Sequence, residues 1–266
     1  MAGVLAVGLA TVLRTSEQDL RLVVAGRTDA GVHATGQVCH VDVPRGPWEA
    51  LPGRSDLAPA AALVRRLRGV LPADVRVHAA APAPAGFDAR FSALSRRYAY
   101  RLCDDPAGVP PLRRRDVAAW PRPLDADAMD AAAAALVGLH DFAPFCKRRE
   151  GATTIRTLLE YGWARDADGF VVASVVADAF CHSMVRALVG AVAAVGDGRR
   201  PPGWPREVLA AGVRDPGVAV APAHGLVLEH VAYPPDAALA ERAAQARAVR
   251  TLAPPSGGQS TRRACT

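Results

Sequence analysis

The sequence predicts an α+β protein with two similar lobes. Its 266 residues are 50% hydrophobic, enough for a sizeable core, and this length is typical of two subdomains rather than one. Short alternating or apolar runs, typical of strands, are interspersed with segments of helical spacing. This plan occurs on both sides of a proline- and arginine-rich stretch, 106–115. We therefore expect antiparallel or mixed sheets with helices on their outer faces.

The first lobe is predicted over 1–105. Its helices repeat apolar residues at intervals of three and four, and its strands are apolar or alternate between apolar and polar residues. The predicted elements are a helix over 4–12, strands over 20–25 and 37–43, a helix over 57–70, and strands over 75–80 and 97–103.

The second lobe is predicted over 106–234. It contains a helix over 125–136, strands over 154–164 and 170–177, a long apolar helix over 180–195, a helix over 205–213, and a final strand over 226–233. Residues 235–266 contain few large apolar side chains, too few to offset the entropy of ordering. They are predicted to form a tail that is partly helical but mostly disordered.

Charge gives a weak indication of the partner. The net charge is +6, the isoelectric point is about 9.5, and Lys147 is the sole lysine among 32 basic residues. Arginine binds phosphate through a planar fork, which favours an anionic partner such as RNA. A GC-rich genome would enrich arginine equally well. The arginine clusters that could contact phosphate are Arg65, Arg66 and Arg68, Arg96 and Arg97, Arg113 to Arg115, and Arg148 and Arg149.

The five cysteines show neither a CxxC pair nor a histidine cluster at zinc-ligand spacing. The sequence thus indicates no disulfide framework and no metal site, and a reducing cytoplasm fits best. The apolar start of the chain lacks a basic region and a cleavage site, so we do not expect a signal peptide. No apolar run is long enough for a membrane span.

The run from Ala25 to His33 is the strongest candidate for chemistry. It places Asp29 between two glycines, directly after a predicted strand, with Arg27 and His33 beside it. An aspartate followed by glycine is most often a turn. A simple turn does not require titratable neighbours, however, so this cluster also indicates a catalytic carboxylate. His33 is a candidate for substrate binding, although a loop histidine is more often a hydrogen-bonding partner.

Arg186 is a second candidate. It is the only charged residue between Ala179 and Val195, in a helix whose apolar spacing indicates burial. A buried guanidinium needs an anionic partner, unless its side chain extends to the surface. We therefore predict an ion pair between Arg186 and Asp29 that orients the carboxylate and keeps it ionised.

Several motifs together resemble the tRNA pseudouridine synthase A family. The RTDAGVHA motif with the following Gly-Gln and strand is unbroken, and other family-like segments follow in the same order, to about Pro234. The segments are Ala25–Val43, Phe87–Ala93, Arg96–Tyr100, Ala177–Phe180, Met184–Arg186 and Ala221–Leu226. The resemblance implies a pseudouridine synthase fold with its two lobes around a central RNA-binding cleft.

The resemblance also implies a role for each matching residue. Asp29 would be the catalytic aspartate that breaks the N1-glycosidic bond of uridine, leaving attack on C1′, attack on C6 and assisted elimination as open routes. Tyr98 would stack on the target base, although alone it would be assigned to the core. Arg186 would pair with Asp29. Arg27 would displace the base or contact the RNA backbone, and Leu226 would lie beneath the uracil.

The implied activity is uridine isomerisation in the tRNA anticodon stem-loop, at positions 38 to 40, by a cytoplasmic homodimer without cofactor or metal. The family's first strand, with its Tyr-Asp-Gly and Phe-x-Gly-Trp segment, is absent, so we expect unpaired edges in the first lobe. One alternative is a catalytically impaired RNA-binding protein or tRNA chaperone. A weaker alternative is an aspartate-dependent hydrolase of a small metabolite, for which the sequence has no paired carboxylate or phosphate loop.

Overall fold

The structure, a computed structural model, describes residues 1–147 and 153–248. The chain divides into two units, which are considered separately. The first contains Met1–Ala99 and Ala223–Ala248, and the second contains the described residues of Tyr100–Pro222. The α+β class predicted from the sequence is confirmed, because both units combine helices with strands.

The first unit contains a two-stranded sheet and three helices near the N-terminus. The helices are α1 (Ala2–Leu13), α2 (Arg45–Glu49) and α3 (Pro59–Val70), and the strands are β1 (Arg21–Val24), β2 (His33–Ala34) and β3 (Cys39–Asp42). Antiparallel pairing joins β1 to β3, with Arg21 opposite Asp42 and Val24 opposite Cys39. The core lies between α1 and α3, where Leu9 and Leu67 are almost fully buried.

Three more elements belong to this unit. They are the first part of β4 (Ser95–Cys103), then β9 (Leu226–Ala232), and α7 (Leu239–Arg247). Strand β9 lies between β2 and β4 in the sheet order, and its pairing with β2 is parallel. The segment at 75–80, predicted as a strand, forms none. Val75 and Val77 instead pack against the core of α1 and α3. This packing explains why apolar residues alternate in a segment that is not paired with another strand.

The second unit contains the rest of β4 and four further strands. They are β5 (Ala118–Ala119), β6 (Gly138–Asp141), β7 (Ile155–Arg165) and β8 (Val171–Ala177), in the order β4-β8-β7-β6, with β5 beside β4. Its helices are α4 (Ala126–Ala134), α5 (Met184–Gly196) and α6 (Trp204–Ala211). Asp125 caps α4 by accepting a hydrogen bond from the Ala128 N–H at 2.9 Å, at the predicted start of that helix.

Helix α5 is the most buried element of the second unit. All of its residues are buried except Arg186, which is half-buried. The helix begins at Met184 rather than at the predicted Phe180, because Ser183 adopts a left-handed backbone conformation that a helix cannot include. Helices α4 and α6 pack against α5, and α4 also packs on β7.

The division of the chain differs from the predicted one. It falls within β4, between Ala99 and Tyr100, rather than at 105, and residues 223–248 belong to the first unit. The reason is the pairing of β9 with β2, two strands far apart in sequence. Local patterns carry no information on such a pairing.

Residues 236–247, predicted within the mostly disordered tail, are helical. Leu239 and Ala243 of α7 are buried, the Ser92 hydroxyl donates to the Leu239 carbonyl at 3.1 Å, and Arg247 forms an ion pair with Asp88 at 3.0 Å. Two buried apolar side chains thus anchor a helix that is otherwise mostly exposed. The predicted disorder beyond 248 lies outside the described residues.

Candidate active site

The loop between β1 and β3 presents Asp29. The antiparallel pairing extends one residue past β1, where the Ala25 N–H donates to the Val38 carbonyl at 2.8 Å. The chain then leaves the sheet and turns, with the Val32 N–H donating to the Asp29 carbonyl at 3.1 Å and Gly31 at a φ of +83°. Asp29 therefore does lie in a turn, as aspartate and glycine favour. Its side chain is half-buried.

The far end of this loop is fixed on β9. His33 and Ala34 pair with Val227 and Leu228, and the N–H groups of Thr35 and Gly36 both donate to the Leu228 carbonyl, at 2.9 and 3.0 Å. A Cβ atom at Gly36 would overlap the backbone of Glu229. Glycine is therefore required for this close approach of two backbones.

The near end of the loop is held by two side chains. The Gln37 amide forms two hydrogen bonds with the backbone of Gly26: its Oε1 accepts from the Gly26 N–H at 3.2 Å, and its Nε2 donates to the Gly26 carbonyl at 2.8 Å. Arg96, which is 7% exposed, donates through Nη2 to the carbonyls of Ala25 at 3.1 Å and of Arg90 at 2.5 Å. Both ends of the loop that presents Asp29 are thus anchored.

Tyr98 lies beside the near end of this loop. It is 7% exposed, and a Cβ atom built on Gly26 would lie 3.4 Å from its hydroxyl. Burial raises the pKa of the Tyr98 phenol to about 12, with Arg96 lowering it and the Asp29 carboxylate raising it further. The phenol therefore stays protonated at neutral pH. The fold brings Asp29 and Tyr98 within electrostatic range, as members of one site would be.

The other candidates of the first unit occupy different environments. Arg27 is exposed in the loop, and His33 is exposed at the start of β2. Leu226, at the start of β9, is buried and precedes Val227, the partner of His33. The structure thus places Leu226 and His33 on neighbouring strands.

Arg186 belongs to the second unit. Its Nε donates to the Ala221 carbonyl at 2.7 Å, and the Ala221 N–H donates to the Arg186 carbonyl at 3.0 Å. Tyr100 donates from its hydroxyl to the Pro222 carbonyl at 2.7 Å; burial raises the pKa of this phenol, and Arg186 lowers it. Asp29 lies in the other unit, so the ion pair between Arg186 and Asp29 stays a prediction.

The environment of one arginine differs from the predicted one. Arg96 was a candidate phosphate contact, but it is buried and bonded to two backbone carbonyls. Arg113 pairs with Asp116 at 2.9 Å and lies over the ring of Phe170. The candidates Arg148 and Arg149 lie outside the described residues.

The anchoring roles of Gln37 and Arg96 were missed because they depend on tertiary contacts. The signal available in the sequence was their position: each lies within a motif that carries the family resemblance. A glutamine placed two residues before a strand, opposite the end of another strand, is compatible with a side-chain clamp. The sequence does not distinguish a clamp from a solvent-exposed amide.

The cysteines also differ from expectation. No disulfide was predicted, whereas the structure pairs Cys146 with Cys181, whose Cα atoms lie 5.8 Å apart. This separation is normal for a disulfide. Among the described residues, no group of three or more potential ligands could hold a metal ion. Nor does any helix in the described ranges combine the length and hydropathy of a membrane span.

Comparison with known proteins identifies the family. A family profile described as tRNA pseudouridine synthase matches residues 132–234. Proteins named tRNA pseudouridine synthase A from Frankia casuarinae and Streptomyces griseus are each 63% identical to the chain, over 238 and 245 residues. The alignments cover 90% and 92% of this chain and 83% of each relative. The chain belongs to the tRNA pseudouridine synthase A family.

More distant members of the family are also similar over most of their length. The tRNA pseudouridine synthase A of Mycobacterium leprae is 52% identical over 248 residues, which cover 91% of this chain and 84% of that protein. The family predicted from the sequence motifs is therefore confirmed. The profile match includes Arg186 and Leu226, two of the candidate site residues.

Proposed function

We propose that this protein converts uridine to pseudouridine in tRNA, with Asp29 as the catalytic carboxylate. One observation carries the proposal: in a member of this family, a half-buried aspartate lies in a loop anchored at both ends, within electrostatic range of a buried tyrosine. Catalysis requires groups that are held in place before the substrate binds. The anchored loop meets that requirement.

All bonds that break and form in the isomerisation belong to the same nucleotide. The bond between N1 and C1′ breaks, the uracil rotates, and a bond forms between C5 and C1′. C5 then loses a proton and N1 carries one, so there is no net oxidation and no external group is consumed. A carboxylate can act in this sequence as a nucleophile, and a neighbouring base can accept the C5 proton.

Each candidate residue has a role in this proposal. Tyr98, protonated at neutral pH, offers its ring as a stacking surface for the flipped uracil. Leu226 provides an apolar contact beneath the base, and exposed Arg27 contacts the RNA backbone. Arg186 orients and stabilises the Asp29 carboxylate. His33 contributes a polar contact to the substrate.

We further propose that the substrate region is the anticodon stem-loop and that the enzyme acts as a homodimer in the bacterial cytoplasm, where tRNA is modified. The net charge of +6 supports binding to a polyanion. Light scattering tests the assembly: a dimer has twice the mass of the 27.8 kDa chain, and a monomer at working concentration would contradict this part of the proposal.

Tritium release tests the activity, because the C5 hydrogen of each converted uridine is lost to water. Purified protein is incubated with tRNA transcripts labelled with tritium at C5 of uridine, and the modified positions are then mapped by chemical derivatisation and primer extension. We expect release that stops at a few equivalents per tRNA and maps to the anticodon stem-loop. Tight tRNA binding without any release would instead support the non-catalytic RNA-binding alternative.

A further inference from the structure

The side chain of Gln37 joins two segments at the point where backbone pairing ends. The register of β1 and β3 places Val24 opposite Cys39, and the next pair is joined by the hydrogen bond from Ala25 to Val38. Continuing this register places Gly26 opposite Gln37. At that position the Gln37 amide, and not its backbone, makes both hydrogen bonds to Gly26.

A primary amide suits this task because it offers a donor and an acceptor at the same end of the side chain. The Gly26 N–H and carbonyl belong to a half-buried residue, and without the amide both groups would lose these protein partners. The two bonds also fix the peptide planes on either side of Gly26. They therefore determine the direction in which the chain continues to Arg27 and Asp29.

Gly26 lies beside Tyr98, so the backbone direction at Gly26 affects the geometry of the site. The position of a Cβ atom on Gly26 is 3.4 Å from the Tyr98 hydroxyl and 3.7 Å from a methyl group of Leu228. Gly26 thus lies near both the side chain proposed to stack on the base and the strand that anchors the far end of the loop. A shift of Gly26 changes the position of Asp29 relative to Tyr98.

We propose that Gln37 is a positioning residue of the pseudouridine-forming site: it aligns Asp29 by clamping the backbone of Gly26, without contacting the substrate. This inference rests on the proposed function. Misplacement of a reacting group by about 1 Å typically costs up to a hundredfold in rate. The loss of the clamp should therefore lower the rate of the chemical step and leave tRNA affinity unchanged.

The first test compares Gln37→Met with the wild type. Methionine keeps the length of the side chain but cannot form the two bonds. Gln245→Met is the matched control, because Gln245 is exposed and its side-chain amide donates to Glu241 on the same helix, α7. In single-turnover tritium release, we expect Gln37→Met to be about 10- to 100-fold slower with unchanged tRNA dissociation constant, and the control to match wild type.

Amide hydrogen exchange supplies a readout that does not require activity. In Gln37→Met we expect the Gly26 amide to exchange at least tenfold faster, because it has lost its acceptor. The Ala25 amide, which donates to Val38, should keep its protection and report that the sheet is intact.

Gln37→Glu gives a pH-dependent rescue and also covers the case in which the methionine variant does not fold. A protonated carboxyl group offers one donor and one acceptor, as the amide does, whereas a carboxylate only accepts and faces the Gly26 carbonyl. The ratio of the Gln37→Glu rate to the wild-type rate should therefore rise as the pH is lowered from 8 to 5.5. A merely structural role gives no such rise.

The outcomes separate the two proposals. A wild-type protein that releases no tritium contradicts the proposed function and, with it, this inference. An active wild type with an equally active Gln37→Met variant overturns the inference alone. Weakened tRNA binding at an unchanged chemical rate also overturns it, because Gln37 would then be a binding residue. A slower rate with an exposed Gly26 amide supports it.

Discussion

Tyr98 lies close enough to Asp29 for the carboxylate to raise the pKa of the phenol, in addition to the larger rise caused by burial and against the opposing effect of Arg96. This links the loop between β1 and β3 to strand β4, on which Tyr98 and Arg96 lie two residues apart. The loop residue proposed for chemistry and the ring proposed for stacking therefore share one electrostatic environment.

The raised pKa of Tyr98 predicts a loss of stability in alkali. The pKa of the phenol is 10.0 in the unfolded chain and about 12 in the folded protein. Between these values the folded protein binds more protons than the unfolded chain, so the free energy of unfolding falls as the pH rises. In urea titrations from pH 8 to 12, Tyr98→Phe should lack this contribution, and its stability relative to wild type should increase above pH 10. A constant difference across that range would contradict the assignment.

Arg96 and Arg97 are neighbours with different predicted functions. Arg96→Gln removes a buried guanidinium bonded to the Ala25 and Arg90 carbonyls, so the free energy of unfolding should fall by about 1–3 kcal/mol. Arg97 is exposed, and Arg97→Gln should change stability by less than about 0.5 kcal/mol. Arg97→Gln should instead weaken tRNA binding. The slope of log K for tRNA binding against log salt concentration should become shallower by about one. Equal effects of both variants on stability would show that the assignment is wrong.

Gly36 should tolerate no side chain. A Cβ atom there would overlap the backbone of Glu229, and neither backbone can move without disturbing the bonds to Leu228. Gly36→Ala should therefore lower the free energy of unfolding by about 1–3 kcal/mol, the usual cost of overpacking. Gly46→Ala, at a position where an added Cβ atom would meet no atom of another segment within 4 Å, is the control and should leave stability near wild type. Denaturant unfolding of both variants measures the contrast.

The predicted ion pair between Asp29 and Arg186 can be tested by a double-mutant cycle. If the two side chains interact, Asp29→Asn and Arg186→Gln should be non-additive in the free energy of unfolding by about 0.5–3 kcal/mol. The cycle with exposed Asp42 in place of Asp29 should be additive. Additivity in both cycles would refute the pair. Activity is not needed for this measurement, so a catalytic role of Asp29 does not interfere with it.

Much of the fold followed from local patterns in the sequence. Helix α3 and strands β7 and β8 lie close to their predicted bounds, because each has a periodicity that its own packing satisfies. Segment 75–80 shows the limit of this argument. Its alternation reflects packing against one core, and strand formation also requires a partner with free backbone groups.

The features that the sequence did not predict are set by contacts between distant segments. The assignment of β9 to the first unit depends on its pairing with β2. The anchoring of α7 depends on a hydrogen bond from the Ser92 hydroxyl. At the candidate site, the composition of the loop indicated Asp29 directly. The clamp by Gln37 and the burial of Arg96 became apparent only with the tertiary structure, since an amide or a guanidinium has the same appearance in sequence whether exposed or bonded.

The catalytic role proposed for Asp29 is tested by measuring tritium release by Asp29→Asn. Asp42→Asn, an exposed aspartate in the same unit, is the control. Loss of a catalytic nucleophile should slow release at least about a thousandfold, with wild-type tRNA binding, while the control should release tritium at the wild-type rate. Release by Asp29→Asn at a rate near wild type would show that Asp29 is not the catalytic carboxylate.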